Sequence, residues 1–309
     1  MTISAVPTDP VTELENATWA LVAVITTQRD AARSSLAAAL HADPVRTAVL
    51  AAAGLVERRG EELDPSPSLH DGGLAASAAA ARLAALGQAA DAAAGEKEQS
   101  WSAQPDRVLL DQGRASAATG QAIATRLVPA LTGLPQRLAS PGSRVLDVGT
   151  GVGALALALV RELPEVRVTG IDVLPRAVAL ARAELEQAGP DAERVEVREQ
   201  DVAGLRDREL YDLSWLPSPF LSEPALRAGL PRVVDAAVPG GWLVIGTNPA
   251  PGDELAAAVA RWNAVRNGGS SIEAPELAGT LRDLGLGEVD QRPTFPGGPV
   301  LVVGRRPPA

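Results

Sequence analysis

The spacing of apolar residues changes near residue 141. Upstream they recur every three or four positions, and downstream short β-branched runs alternate with helical stretches. The first is the period of amphipathic helices and the second the pattern of a βαβ array. Upstream, Leu14, Ala17, Leu21, Val24 and Ile25 line one face of a helix expected over 12–28. A second helix is expected over 29–40, broken by His41-Ala42-Asp43-Pro44. Asp43 is placed to cap a third helix over 45–53, with Pro44 at its first position and Gly54 ending it. The stretch GLVERRGEELDPSP then reads as a short strand, a turn at Arg59-Gly60 and a return. Helix, turn, helix and a two-stranded wing is the order of a winged helix. An alanine-rich helix over 74–94 and a solvated break at 95–100 close this region, and one or two helices over 101–140 lead to Pro141-Gly142. The chain thus reads as a helical winged-helix-like domain over 1–100, linker helices over 101–140 and a βαβ domain over 141–309.

In that last domain strands are expected over 144–148, 166–171, 195–199, 211–216, 241–247, 287–291 and 300–304. Helices are expected between them over 153–163, 175–188, 223–234, 254–265 and 274–284. Five strands alternating with helices predict an α/β fold with a mainly parallel sheet. Only RPTFPGGP joins the last two strands. That is too short for a parallel crossover, so they should form an antiparallel hairpin at one end.

Composition narrows the chemistry. The formal net charge is -10, and residues 1–100 carry seven basic against thirteen acidic side chains. The expected recognition helix offers only Arg46, whereas a DNA reader needs several phosphate contacts, so no nucleic-acid partner is expected. Absence of cysteine excludes disulfides and thiolate chemistry, and two histidines, His41 and His70, make a metal site unexpected. No apolar run reads as a signal peptide or a membrane span, which gives a cytoplasmic protein without a membrane partner as the expectation.

Strand tips carry the candidate site, because ligands of open parallel sheets bind beyond the carboxyl ends of the strands. The first strand runs into Asp147-Val148-Gly149-Thr150-Gly151-Val152-Gly153. Glycines at alternate positions let backbone approach a ligand closely. Gly149, Gly151 and Ala154 also satisfy the dinucleotide pattern, so the loop alone leaves two cofactor classes open. No Gly-Lys-Ser/Thr follows, which excludes a P-loop. Asp172 at the second tip suits two ribose hydroxyls, and Asp201 at the third suits an adenine amine; the plainer reading of an Asp after a strand is a turn or helix cap.

The segments VLDVGTGVGALALAL, VTGIDVLPRAVALAR, VEVREQDVAGL, YDLSWLPSPF and PGGWLVIGT fall in order. Their order and spacing resemble the consecutive motifs of class I S-adenosylmethionine-dependent methyltransferases over about residues 141–309. The N-terminal region resembles, more weakly, the winged-helix dimerisation domain of small-molecule O-methyltransferases. The resemblance implies a seven-stranded Rossmann-like sheet closed by an antiparallel hairpin, S-adenosyl-L-methionine as cofactor and a homodimer. It implies that Gly149, Thr150, Gly151 and Gly153 pass under the methionine part, with Asp147 near its ammonium and Asp172 on the ribose. Asp201 would meet the adenine amine, Val173 and Val202 would flank the ring, and Ser214, Trp215 and Leu216 would line the floor beside the sulfonium. A cationic sulfonium and ammonium suit acids and an aromatic wall, here Trp215, better than a pyrophosphate does.

The implied reaction is methylation of a small molecule, an O-methylation of a secondary metabolite; N- or C-methylation, a cofactor-sensing regulator and an NAD-dependent oxidoreductase are the alternatives. Small-molecule O-methyltransferases of this type often use a histidine after the fifth strand, but here that region reads GTNPAPGDE. The fourth strand ends LPSPF, like the Asn-Pro-Pro-Tyr motif of amino-group methyltransferases but with Pro217 in the Asn place and Ser218 in that of the first Pro. Polar candidates for catalysis are Gln112, Arg114, Ser116, Trp101, Asn248, His41 and His70. Related enzymes place the segment before the first strand over the cofactor.

Overall fold

The structure, a computed structural model, describes residues 9–95, 100–249, 254–294 and 299–308. The chain divides into two compact units, residues 1–90 and 91–309.

The first unit opens with the helices Pro10–Ala31, Leu36–Ala42 and Pro44–Ala52. The first is longer, and the second shorter, than apolar spacing alone predicts. Ser35 is the reason: it accepts a hydrogen bond from the Ala38 N–H at 3.2 Å and so starts a new helix. Asp43 caps the third helix through the Arg46 N–H at 2.9 Å, with Pro44 at its first position. Strands β1 (Val56–Arg59) and β2 (Glu62–Pro65) pair antiparallel around Gly60. The helix Gly72–Ala93 follows, and Val24, Leu36, Leu40, Leu50, Val56 and Leu69 form the core. Arg46 is not available to a phosphate backbone: its side chain is 12 % exposed and pairs with Asp30 at 2.8 Å.

The second unit begins with the helix Asp106–Ala122, which runs on through a π turn at Ile123–Leu127 and a 3-10 turn at Val128–Ala130. Seven described strands form its sheet: β3 (Arg144–Val148), β4 (Arg167–Asp172), β5 (Val195–Glu199), β6 (Tyr211–Pro217), β7 (Ala237–Pro249), β8 (Gly287–Pro293) and β9 (Pro299–Arg305). Their order is β5-β4-β3-β6-β7-β9-β8, and the first five run parallel. The last strand inserts antiparallel between β7 and β8, so the expected hairpin lies at the β7 side. Strand order reverses between β3 and β6, which puts the ligand crevice at their tips.

Both faces of the sheet are covered. Leu146, Ile171, Leu216 and Leu243 pack with residues of the helices Glu223–Ala236 and Ala274–Asp283. Val145, Val168, Leu213 and Val244 pack on the other face with the segment 123–138 and the helix Ala154–Glu162. The helix Asp106–Ala122 lies close on Ala154–Glu162: a Cβ at Gly120 would stand 2.6 Å from the Leu155 carbonyl oxygen. No helix among the described residues is long and apolar enough to cross a membrane.

Candidate active site

The loop after β3 is held in the left-handed region by Gly149, Gly151 and Gly153, with φ of 66°, 57° and 78°. Side chains adopt that region only with strain. The N–H groups of Gly149 and Thr150 both donate to the Ile171 carbonyl, at 2.8 and 3.0 Å, and fasten the loop to β4. A Cβ on Gly151 would meet nothing within 4 Å, so this part of the loop has a free face.

Asp147 is buried at the last-but-one position of β3, and the Thr150 hydroxyl donates to its Oδ2 at 2.7 Å. Burial pushes its carboxyl up to about 7; Thr150 opposes the rise and the charge of Asp172 adds to it. Thr150 reaches this position over Gly170, where a Cβ would stand 2.6 Å from Oγ1. Asp172 accepts from the Gly151 N–H on one oxygen and the Leu174 N–H on the other, each at 2.9 Å. Burial raises its carboxyl as well, and those backbone donors hold it down. These two acids and the glycine loop form one hydrogen-bonded knot at the reversal point.

Asp201 stands apart from the knot. It is exposed and accepts from the Ala203 N–H at 2.9 Å, the turn cap that the plainer reading expects. Val173 is 60 % exposed, while Val202 is buried against Gly229, where a Cβ would stand 2.7 Å from Val202 Cγ1. The Val202 side chain packs in the core.

The residues expected along the floor are buried as well. Ser214 and Leu216 are fully buried and Trp215 is 6 % exposed. A strand covered on both faces sends alternate side chains into opposite cores, and here Trp215 and Leu216 pack in separate ones. Trp215 lies over Gly246, where a Cβ would stand 2.5 Å from Cη2, and forms no exposed aromatic wall. Overpacking of this kind costs about 1–3 kcal/mol. Gly246→Ala should therefore lower the urea midpoint, and an unchanged midpoint would show that the indole moves freely.

The polar candidates scatter. Arg114 pairs with Glu184 at 3.0 Å and is half exposed. The Ser116 hydroxyl donates to the Gly113 carbonyl at 2.6 Å, and Gln112 is half-buried on the same helix. Asn248 at the β7 tip donates to the Ser270 carbonyl at 3.1 Å. His41 and His70 lie in the first unit, with His41 Nδ1 2.8 Å from the Ala37 carbonyl. Of GTNPAPGDE, residues 250–253 lie outside the described residues. Sequence spacing does not reveal a second cluster at the tip of β6, where the Trp101 and Phe220 rings pack 5.1 Å apart. Among the described residues no group of His, Asp or Glu side chains could hold a metal ion.

Residues 145–241 match the family model described as a methyltransferase domain. The release factor glutamine methyltransferase of Deinococcus radiodurans is 35 % identical over 161 residues, covering 45 % of this chain and 56 % of that protein. A ribosomal protein L11 methyltransferase of Geobacter metallireducens is 38 % identical over 138 residues, 45 % of this chain and 42 % of its own. The chain spans about half the length of the curated relatives it matches. Among solved structures, human N-acetylserotonin methyltransferase in complex with SAM aligns at a TM-score of 0.62 with 16 % identity, over 98 % of this chain and all of that one (100 %). An O-methyltransferase family protein from Burkholderia thailandensis gives 0.55 at 19 % identity, over 98 % and 100 %. Residues 145–241 are thus a methyltransferase domain, and the unit around them has the fold of S-adenosylmethionine-dependent methyltransferases.

S-adenosyl-L-methionine is the cofactor of such domains, and the knot suits its chemistry. Burial raises both carboxyls, and among the described residues neither is in an ion pair, so the two favour a ligand that brings positive charge.

Proposed function

We propose that this protein transfers a methyl group from S-adenosyl-L-methionine to an oxygen of a small-molecule acceptor. The observation that carries the choice of acceptor is the tip of β6. It reads Pro217-Ser218-Pro219-Phe220 and places no side-chain carboxamide where amino-group methyltransferases have their Asn. Likeness of the whole fold to O-methyltransferases supports the reading. Asp147, Gly149, Thr150, Gly151 and Gly153 would hold the methionine part, Asp172 the ribose, and Val173 and Asp201 the adenine. When bound, the cofactor supplies an activated methyl group on a positively charged sulfur.

The chain's own task is then to position, desolvate and, where needed, take up a proton. Residues 91–309 contain no histidine, so an acceptor oxygen that sheds its proton readily, as a carboxyl or an activated phenol does, suits this unit best. The segment 101–140 would cover the site. The first unit is read as a winged-helix-like dimerisation domain, in a cytoplasmic enzyme of secondary metabolism. A second reading, methylation of a glutamine amide, is favoured by the release factor methyltransferases among the sequence relatives.

Calorimetry with S-adenosylhomocysteine, followed by methyl transfer from labelled S-adenosylmethionine to a panel of phenols, carboxylic acids and a glutamine-bearing peptide, tests both. Binding with label on an oxygen is expected. No binding up to millimolar concentration sinks the cofactor assignment, and label on the peptide amide alone selects the second reading.

A further inference from the structure

The 3-10 turn Ser218–Phe220 continues β6 past the crevice, and Pro217 packs beside the glycine loop, with Cγ 3.7 Å from where a Gly149 Cβ would be. Ser218 is fully buried, yet among the described residues its hydroxyl has no hydrogen-bond partner. The same holds for the Trp101 indole N–H, which is shielded from solvent. Trp101 packs its ring on Phe220, which closes the same 3-10 turn that Ser218 opens. Neighbouring segments fix that cluster in place. Gly269 lies against the turn so closely that a Cβ there would stand 1.9 Å from the Pro219 carbonyl oxygen. Asn248 ties the β7 tip to Ser270.

Buried polar groups without partners are rare in folded proteins, and each costs about 1–3 kcal/mol when left unpaired. Two such groups, one on the turn beside the glycine loop and one on the ring packed against that turn, are donors still open to a ligand oxygen. We infer that Trp101 Nε1–H and Ser218 Oγ–H position the methyl acceptor by donating to its oxygen, and that Trp101 and Phe220 receive its flat apolar body. The ligand class is a planar, apolar molecule with an oxygen at its edge. This rests on the methyltransferase reading above, because that reading places the acceptor at this tip. Indole N–H is a donor only, so a bare ammonium or another donor would leave Trp101 unpaired.

The test uses the full chain saturated with S-adenosylhomocysteine, titrated calorimetrically with 2-naphthol and with naphthalene, in the wild type, Trp101→Phe and Ser218→Ala. Each variant removes one donor, and Trp101→Phe keeps an aromatic ring. Loss of one hydrogen bond predicts 2-naphthol binding weaker by about 5- to 30-fold in each variant, against less than about 2-fold for naphthalene. Ser218→Ala should also unfold at the same or a higher temperature without probe, since it deletes an unpaired hydroxyl. Equal weakening for both probes assigns the cluster to packing and overturns the inference. So does 2-naphthol binding that is absent in the wild type or unchanged in both variants, as when water fills the site. Failure of S-adenosylhomocysteine to bind overturns the cofactor reading itself, and this inference with it.

Discussion

Asp147→Asn is expected to make the unliganded protein more stable at pH 8 while weakening its hold on S-adenosylhomocysteine. Burial raises the folded-state titration of Asp147 from the ordinary carboxylate range to about 7. Between those values the folded chain binds a proton that the unfolded chain has released, so stability falls as pH rises and levels off above about 7. Over about three pH units this amounts to on the order of 4 kcal/mol. Asparagine has no charge to bury and still offers an oxygen to the Thr150 hydroxyl, so the variant lacks this slope. The stability difference between variant and wild type, from urea unfolding at a series of pH values, should widen by about 1.4 kcal/mol per unit from pH 4 to 7 and then stay constant. Ligand binding should show the mirror image. An ammonium group prefers the ionised carboxyl, so wild-type affinity should climb up to tenfold per unit from pH 5.5 to 7 and flatten near 8, where an α-amino group titrates. In the variant the climb should vanish and affinity drop by about tenfold or more. A pH-independent stability difference would show that Asp147 is not a buried, proton-holding acid.

The parts of this protein legible in its sequence are those governed by local period and loop chemistry. Alternating β-branched runs located the strands of the sheet within a few residues, apart from β7, whose N-terminal end starts at Ala237 rather than 241. The eight-residue connection before Val300 foretold the antiparallel ending, because chain length forbids a crossover. Asp147, Gly149, Gly151 and Asp172 come together as their positions suggest, since a strand tip and the glycine turn beside it have few alternatives. The burial of the Ser214, Trp215, Leu216 and Val202 side chains is not legible in the same way. Motif position says that a residue is near a strand end, but its face depends on what covers the sheet, and that cover comes from helices distant in sequence. The contact between Trp101 and Phe220 spans more than a hundred residues and leaves no periodic trace.

Asp172→Ala should be the more damaging change at the crevice, harming fold and ligand together. Its carboxylate is the acceptor for two backbone donors, Gly151 in the loop and Leu174 before the helix Pro175–Glu186. Alanine leaves both N–H groups without that partner. At about 1–3 kcal/mol for each buried donor, less where water reaches it, a loss of about 2–4 kcal/mol is expected in urea unfolding. Relief of the buried charge offsets part of this, but the backbone donors already hold that charge in check. Loosening of the Gly151 segment and loss of the acid proposed to grip the ribose should together weaken S-adenosylhomocysteine by about 10- to 1000-fold, the equivalent of roughly 1.4–4 kcal/mol. Asp201→Ala supplies the contrast. Asp201 is exposed and caps one turn, so about 1 kcal/mol of stability or less is at stake, with a few-fold loss of affinity from an adenine contact open to water. Equal losses at the two positions would mean that each acid merely contributes negative charge. A large loss at 172 alone locates the ligand where the glycine loop is tied to β4, because there a single carboxylate holds both the loop and the start of the next helix.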